Sequence, residues 1–378
     1  MTLQRGPGIW LFAALCLGVA GYLTAERLGY VARLEGRLRG KPPVRLSPGD
    51  FPAGVAAPVG EIASVPLRAT QVGFTPHGSS AALLLATSGG LLKSAYALDA
   101  RSVRMAREED LRRALATGAE GGGVDLAVLT VDRLAQWGSA LRDAAPRAVM
   151  LLGRSRGQEA LAGVGLERAA DLKGKRIAAY PQGAAFYFAL WVLAGARIGV
   201  DDVTWVDLDS EAEAGRALRE GRADAVAGLF GDLDSAVRDR GGKMISTTVD
   251  APHLIASVLV ARGDFAARYP DALRRVIRGL LDAGASVRRE PMPAARLLAD
   301  NAPFLGDPVD AIKSAPPASL KENLAFFGLS GEAPVTFDEL YQSAGELFAK
   351  MHRASVPPPA EDMRDLAALK YVAEARGP

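Results

Sequence analysis

Short apolar segments alternate with amphipathic segments along residues 68–230, and this pattern predicts strands separated by helices. The predicted strands cover residues 68–75, 102–107, 124–130, 147–153, 175–180, 202–208 and 223–230. The predicted helices cover residues 79–92, 108–118 and 211–221, with one more in the stretch after residue 180. Strands that alternate with helices favour parallel sheets covered by helices on both faces.

The strands and helices fall into two sets that share a local phrase. "ALATGAEGGGVDLAVLT" (114–130) and "ALREGRADAVAGLF" (217–230) both run from a helix through Ala-Leu-x-x-Gly and a turn to an aspartate and an apolar strand. Each phrase predicts a glycine at the end of the helix and a carboxylate at the start of the strand. A chance match in an alanine-rich chain is the alternative, but the shared position favours two lobes built alike.

The N-terminal residues have the pattern of an export signal or a membrane anchor. An uncharged run at 8–25 would span roughly 27 Å as a helix, slightly less than the hydrocarbon core of a bilayer. Val19-Ala20-Gly21 offers a cleavage site, so a cleaved signal and an anchor both stay open. We expect residues 1–39 to form the signal-anchor or transmembrane helix with its juxtamembrane extension, and the Pro/Gly-rich residues 40–66 to form a linker.

Composition and charge restrict the location and the partners. The chain has 378 residues, of which 49% are apolar and 23% charged, which is enough for two lobes with their own cores. Acidic and basic residues are intermixed and the net charge is only +2, so we expect no nucleic-acid partner. The N-terminal pattern predicts an exported protein, anchored to the membrane or released after signal cleavage; a position on the periplasmic side of the cytoplasmic membrane is what the family resemblance described below implies. The positive-inside rule disagrees with export, because more arginines follow the apolar run than precede it.

Sequence motifs of common enzyme classes are missing. The sequence has no His-Glu-x-x-His, no P-loop and no Gly-x-Ser-x-Gly, and its histidines His77, His253 and His352 are too scattered to predict a metal site. The only cysteine, Cys16, lies in the N-terminal apolar run and offers the exported part neither a disulfide nor a nucleophile. We therefore expect no catalysis, no metal and no cofactor.

The stretch "YPQGAAFYFALW" (180–191) follows a predicted strand and is too apolar for an ordinary surface loop. A strand that leads into a helix N-terminus leaves free backbone N–H groups, and these attract an anion. Gly183 permits close approach of a ligand, Gln182 offers hydrogen bonds, and Phe186 or Tyr187 provides a wall. The alternative is a buried helix whose aromatic side chains fill the core.

Several segments together resemble a known protein family. They are "QVGFTPHGSSAALLLATSGGLLK" (71–93), "GRSRGQEAL" (153–161), "DLKGKRIAAYPQGAAFYFAL" (171–190) and the second copy of the repeated phrase. They are similar to the periplasmic substrate-binding proteins of ABC importers, in the branch for nitrate, sulfonates, taurine and thiamine pyrimidine precursors. The resemblance spans about residues 68–300.

The resemblance implies an α/β, two-lobed type II periplasmic-binding-protein fold, in which each lobe is a mostly parallel sheet flanked by helices, in addition to the N-terminal membrane helix. Lobe I would comprise residues 67–153 and 258–378 with the C-terminal helices, and lobe II residues 154–257. Segments near 153–165 and 228–258 would cross between the lobes, which close on the ligand. Family members often carry a hydroxyl residue after the glycine of the helix start, whereas this chain has Ala184 and Ala185.

Candidate ligand-binding residues stand where predicted strands end, at the edge that would face the cleft. They are Thr75, His77, Ser79, Ser80, Thr130, Gln182, Gly183, Ala184, Tyr187, Phe230 and Asp232. Helix capping is the alternative role for Ser79 and Ser80, and exposure in a loop is the alternative for His77.

The resemblance implies a solute-binding protein of an ABC-type importer that captures a small organic or anionic ligand, such as a sulfonate, nitrate or a pyrimidine-like molecule. Its partners would be an ABC permease and ATPase, and the membrane through the N-terminal helix. The alternative is a membrane-tethered sensing or scaffold domain of the same fold without transport.

Overall fold

The computed structural model describes residues 65–351 and 356–375, and ten strands in this part of the chain form two five-stranded sheets. The strands are β1 (Thr70–Phe74), β2 (Ala100–Arg104), β3 (Leu126–Thr130), β4 (Arg147–Arg154), β5 (Glu159–Gly163), β6 (Arg176–Ala179), β7 (Thr204–Asp207), β8 (Ala225–Leu229), β9 (Lys243–Thr247) and β10 (Ala256–Ala261). The α-helices are α1 (Ala81–Thr87), α2 (Leu91–Tyr96), α3 (Glu108–Thr117), α4 (Val131–Trp137), α5 (Ala184–Gly195), α6 (Ala214–Glu220), α7 (Phe230–Arg240), α8 (Gly263–Arg268), α9 (Pro270–Arg289), α10 (Pro291–Asn301), α11 (Pro308–Ser314), α12 (Leu320–Phe326), α13 (Phe337–Lys350) and α14 (Ala367–Glu374).

The two sheets have the same strand pattern. The first sheet has the order β2-β1-β3-β10-β4, with β1 parallel to β2 and β3, and with β10 antiparallel to both of its neighbours. The second has the order β7-β6-β8-β5-β9, with β6 parallel to β7 and β8, and with β5 antiparallel to both of its neighbours. The prediction of an α/β protein with two similar sheets is confirmed. Strand β5 was not predicted, and β9 and β10 lie beyond residue 230, where no strand bounds were predicted.

The chain crosses between the sheets twice. Residues 155–158 lead from β4 of the first sheet to β5 of the second, and residues 248–255 lead from β9 back to β10. The crossings lie side by side, because the N–H of Ser155 donates to the carbonyl of Ile255 at 2.9 Å and the hydroxyls of Ser155 and Thr248 are 2.8 Å apart. Each antiparallel strand is therefore the first strand after a crossing.

The repeated phrase has the same structural role in both sheets. Asp125 stands before β3 and pairs with Arg68 at 2.6 Å, and Asp224 stands before β8 and pairs with Arg176 at 3.0 Å. Each carboxylate also accepts a hydrogen bond from a backbone N–H of the adjacent parallel strand. Gln71 of β1 donates to Asp125 and Arg176 of β6 donates to Asp224, both at 2.9 Å. The glycine that ends the preceding helix has a positive φ in both copies, 76° and 68°. The aspartates thus align β3 with β1 in the first sheet and β8 with β6 in the second.

The second sheet uses its two faces differently. Ala160, Ala162, Ala178 and Val226 face one core with α6 and α7, whereas the residues between them face the helix α5. Helix α5 is apolar around its whole circumference, and eight of its twelve residues are buried. Its core is continuous with the core of the first sheet, so α5 joins the two halves by packing as well as by the crossings.

The predicted helix at 79–92 is interrupted. Gly90 has φ 84°, and the chain forms α1 and α2 on either side of it, since glycine adopts this left-handed conformation without strain. The predicted membrane segment at 1–39 lies outside the described residues. Within residues 65–351 and 356–375, no helix is long and apolar enough to cross a bilayer.

Candidate functional site

A cavity of 220 Å³ lies where the parallel strands of both sheets end. Residues at or just after the ends of β1, β2 and β3 line it from the first sheet, and residues at or just after the ends of β6, β7 and β8 line it from the second. The first crossing segment contributes to the wall. The polar lining side chains are Thr75, His77, Arg107, Glu108, Thr130, Arg133, Ser155, Gln158, Glu159, Tyr180, Ser210, Glu211 and Ser257.

Four of the predicted ligand-binding residues line this cavity: Thr75, His77, Thr130 and Ala184. Thr75 donates a hydrogen bond to the Glu108 carboxylate at 2.5 Å. Thr130 is only 9% exposed, and its hydroxyl has no hydrogen-bond partner among the described residues. Burial lowers the pKa of His77 to about 4, so its imidazole is neutral at pH 7.

The two predicted serines stand behind the lining. The Ser79 hydroxyl donates to the hydroxyl of Ser257 at 2.7 Å and also contacts the imidazole of His77. Ser80 is fully buried and lies 3.5 Å from the carbonyl of Thr75. Neither makes a side-chain cap to α1. Both therefore fix the loop that carries the lining residues.

The predicted residues of the second sheet are spread over several places. The Gln182 amide oxygen accepts a hydrogen bond from the indole N–H of Trp137 on α4, at 2.9 Å. Tyr187 is fully buried with its ring 5.9 Å from that of Phe348, so it lies in the core and not at the cavity. Phe230 is 40% exposed at an outer part of the cleft, and Asp232 is exposed on the first turn of α7.

The N-terminus of α5 at Gly183 lies next to a carboxylate of the protein itself, that of Glu211. The carboxylate of Glu211 lies beside the first turn of α5, where the backbone N–H of Ala185 lowers its pKa against the larger effect of burial, which raises it. A Cβ on Gly183 would lie 2.2 Å from Oε1 of Glu211, so only glycine leaves room for this carboxylate. The N-terminus that the sequence predicted to attract an anionic ligand is therefore occupied by a side chain of the protein.

Arg133 is the buried cation at the cavity. Its Nε donates to Asp132 at 3.0 Å, its Nη1 to Gln136 and to the Pro181 carbonyl, and its Nη2 to the Gly183 carbonyl at 3.1 Å. Four of its five N–H groups are thereby engaged. Arg133 binds the loop before α5 to α4, and it has little capacity left for an anionic ligand.

Three glutamates line the cavity, Glu108, Glu159 and Glu211, and none of them was predicted from the sequence. Burial raises the pKa of Glu108 to about 7 and that of Glu159 to about 7, and it also raises the pKa of Glu211. Glu108 and Glu211 follow β2 and β7 in the chain as Thr75 follows β1. The rule that selected the other candidates, position after a parallel strand, would have found both.

Glu159 connects the cavity to the crossing segments. Its side chain is buried, and its carboxylate accepts hydrogen bonds from Ser155 on the first crossing and from Thr248 on the second, the latter at 3.3 Å. Thr248 also accepts the backbone N–H of Gly157 at 2.8 Å. A ligand charge next to Glu159 would therefore affect its hydrogen bonds to Ser155 and Thr248, and so the two segments that join the sheets.

The cleft continues outward into a wider region of 610 Å³. Pro76, His77, Gln158 and Leu229 line both parts, so the inner and outer parts are continuous. Phe230, Phe304 and Leu305 give the outer part an apolar wall. Within the described ranges, no group of three or more His, Cys, Asp or Glu residues is arranged to hold a metal ion.

Comparisons with known proteins agree with this architecture. A family model described as NMT1/THI5 like matches residues 156–294. The alkanesulfonate-binding protein of Xanthomonas axonopodis pv. citri, solved with bound MOPS, is 20% identical over 79% of this chain and 99% of its own, with a TM-score of 0.62. The periplasmic nitrate-binding protein of Synechocystis PCC 6803 is 12% identical over 82% and 90%, with a TM-score of 0.61.

An enzyme shares the fold as well. The desulfurization enzyme DSZB is 15% identical over 82% of this chain and 100% of its own, with a TM-score of 0.55. A search of curated proteins gave no match. The predicted resemblance to periplasmic binding proteins is confirmed, and at identities of 20% and below the solved structures establish the shared fold.

Proposed function

We propose that this protein is the solute-binding component of an ABC-type importer and captures a small molecule between its two sheets. One observation carries the proposal: two sheets of identical strand order, joined by two adjacent crossings, present the ends of their parallel strands to one cavity. Ligands of α/β proteins bind at such strand ends. The fold shared with alkanesulfonate- and nitrate-binding proteins supports the same role.

The proposed mechanism is a population shift. A ligand in the cavity contacts residues that follow strands of both sheets, so it stabilises the arrangement in which the sheets face each other closely. The importer would recognise that arrangement. The proposal assigns binding and no catalysis.

Location and partners belong to the same proposal. A periplasmic position follows the role of the similar binding proteins, and residues 1–39 would direct export or attach the protein to the membrane. The partners would be a permease and an ATPase of the ABC type. The predicted ligand contacts of Thr75, His77, Thr130 and Ala184 remain part of the proposal, because these residues line the cavity.

The test is a binding screen on the purified full chain. Small sulfonates, nitrate, carboxylates, pyrimidines, flavins and amines are added at millimolar concentration, and the unfolding temperature is recorded. A ligand at 100 times its Kd stabilises the folded state by about 2.7 kcal/mol, which a thermal shift detects readily. No shift with any class would overturn the proposal. A ligand that binds while the protein fails to associate with an ABC permease would favour the sensing role.

A further inference from the structure

The cavity collects carboxylates from three separate elements. Glu108 lies on the first turn of α3, Glu159 begins β5, and Glu211 lies on the turn between β7 and α6. Their mutual repulsion is part of the electrostatics, since Glu211 raises the pKa of both Glu108 and Glu159 beyond the effect of burial. The three glutamates thus line the same cavity.

The positive groups nearby are already committed. Arg107 forms an ion pair with Asp110 on the outside of α3, and Arg133 is bound to Asp132, Gln136 and two backbone carbonyls. Asp132 adds a further carboxylate, and its Oδ1 has no partner among the described residues. The titratable and charged groups that face the three glutamates are His77, Arg107, Asp132, Arg133, Tyr180 and Asp232. Ionisation of the three glutamates would therefore leave the cavity with an excess of negative charge, which is unfavourable without a counter-charge.

The unpartnered polar atoms of the cavity include a carboxylate oxygen and a hydroxyl. Oε1 of Glu211 is shielded from solvent and without a partner in the described part of the chain, and the buried hydroxyl of Thr130 is also unpartnered. An ionised carboxylate only accepts hydrogen bonds. A ligand that satisfies these atoms must carry donors, and an anion at the start of α5 would meet the Glu211 carboxylate.

Granted the binding role proposed above, we propose that the ligand is an organic cation whose ammonium, amidinium or guanidinium head lies between Glu108, Glu159 and Glu211. The inner cavity of 220 Å³ equals the volume of about seven waters, which suits a compact head group. The outer part of the cleft, with Phe230 and Leu305 in its wall, receives the uncharged remainder. Charge-assisted hydrogen bonds from the head then replace the missing counter-charge.

A matched series of probes tests the charge requirement. Benzamidine, benzamide, benzoate and benzenesulfonate share a ring and differ in charge, and agmatine and putrescine extend the cationic arm. Each is titrated into the full chain by calorimetry at pH 7.5. We expect binding by at least one cation and none by the neutral or anionic probes.

Variants locate the binding. Glu108→Gln and Glu211→Gln should each weaken the cation about 10- to 100-fold, the range expected for a hydrogen bond to a charged group. Glu109→Gln is the matched control, because Glu109 is next to Glu108 but pairs with Arg112 outside the cavity, and it should leave binding unchanged. Glu211→Ala is tested with the anions, since it frees the start of α5.

The outcomes separate the two proposals. Cation binding that depends on Glu108 and Glu211 supports the inference. Tighter binding of an anion or a neutral probe to the unmodified chain would overturn it and leave the solute-binding role intact. An equal affinity for the cation in Glu109→Gln, Glu108→Gln and Glu211→Gln would also overturn the inference. Failure of every class, including those of the wider screen, would overturn the solute-binding role itself.

Discussion

Glu159→Gln should change how the stability of the ligand-free protein depends on pH. Glu159 is 5% exposed, and burial raises its pKa from an ordinary value of 4.5 to about 7. The folded state therefore holds this proton more tightly than the unfolded state. Between these two pKa values, the folded state loses stability as the pH rises, and glutamine removes that loss because it has no proton to release.

The size of the effect follows from the two pKa values. A difference of one pKa unit corresponds to about 1.4 kcal/mol, and integration of the proton linkage from pH 5 to pH 8 gives roughly 2.5 kcal/mol for this carboxyl. The unfolding free energy of the variant, relative to the unmodified protein, should therefore rise by roughly 2.5 kcal/mol over that range. The glutamine amide oxygen can still accept the hydrogen bond of Ser155, so the local structure is kept.

Urea unfolding of the full chain at pH 5, 6, 7 and 8, followed by circular dichroism after exhaustive dialysis, measures the difference. Glu361→Gln removes an exposed carboxyl outside the cavity and should give a curve parallel to that of the unmodified protein. A stability difference between Glu159→Gln and the unmodified chain that stays constant from pH 5 to pH 8 would refute the reasoning. It would mean that Glu159 ionises in the folded state as it does in the unfolded one.

Three further predictions concern the cleft. Gly183→Val should displace Glu211 and weaken ligand binding at least tenfold while the circular dichroism spectrum stays the same. The control is Gly195→Ala, where an added Cβ meets no atom within 4 Å, and it should bind the ligand normally. Equal binding by both variants would contradict the assigned role of Gly183. Trp137→Phe removes the bond to Gln182 and should lower the unfolding free energy by about 1 kcal/mol in urea titrations, whereas an unchanged value would show that the bond adds nothing. Affinity for a cation should rise from pH 5 to pH 8, because Glu108 and Glu159 have pKa values of about 7 and must release their protons to bind it. Calorimetry in two buffers of different ionisation enthalpy measures the proton release. An affinity that falls as the pH rises would count against a cationic ligand.

The parts of the fold that follow from local chemistry were predictable. The aspartates before β3 and β8 were recognisable from the repeated phrase, and each makes the strand-aligning contact that its position requires. The strand β5 was not predicted, because the alanine-rich run "EALAG" becomes a strand only by pairing with partners far away in the chain. Pairing of this kind leaves little local signal.

The candidate site was predictable in position but not in charge. Placing ligand contacts after parallel strands led to Thr75 and Thr130, which line the cavity. An anionic ligand was predicted at the start of α5. The local sequence does not show that Glu211, 28 residues after Gly183, folds back onto that helix end. Likewise, Tyr187 was expected at the ligand, and the long-range contact with Phe348 puts it in the core. Tertiary contacts decided both cases.

Those aromatic contacts also limit how the two halves can move. Phe348 of α13 is fully buried, with its ring 6.3 Å from Phe186 and 5.9 Å from Tyr187 on α5, and it lies against Arg133 of α4. Separating α5 from α13 would expose these three rings, at a cost of about 1.5–3 kcal/mol for each, which together exceeds the contribution of one polar contact. A ligand that adds one charge-assisted contact, worth about 1.5–3 kcal/mol, cannot control an opening of that size. We therefore expect the cleft to open by rotation about the α5–α13 contact and the crossing segments. The carboxylate of Glu159, bonded to both crossings, is then the cavity group best situated to couple ligand charge to that rotation.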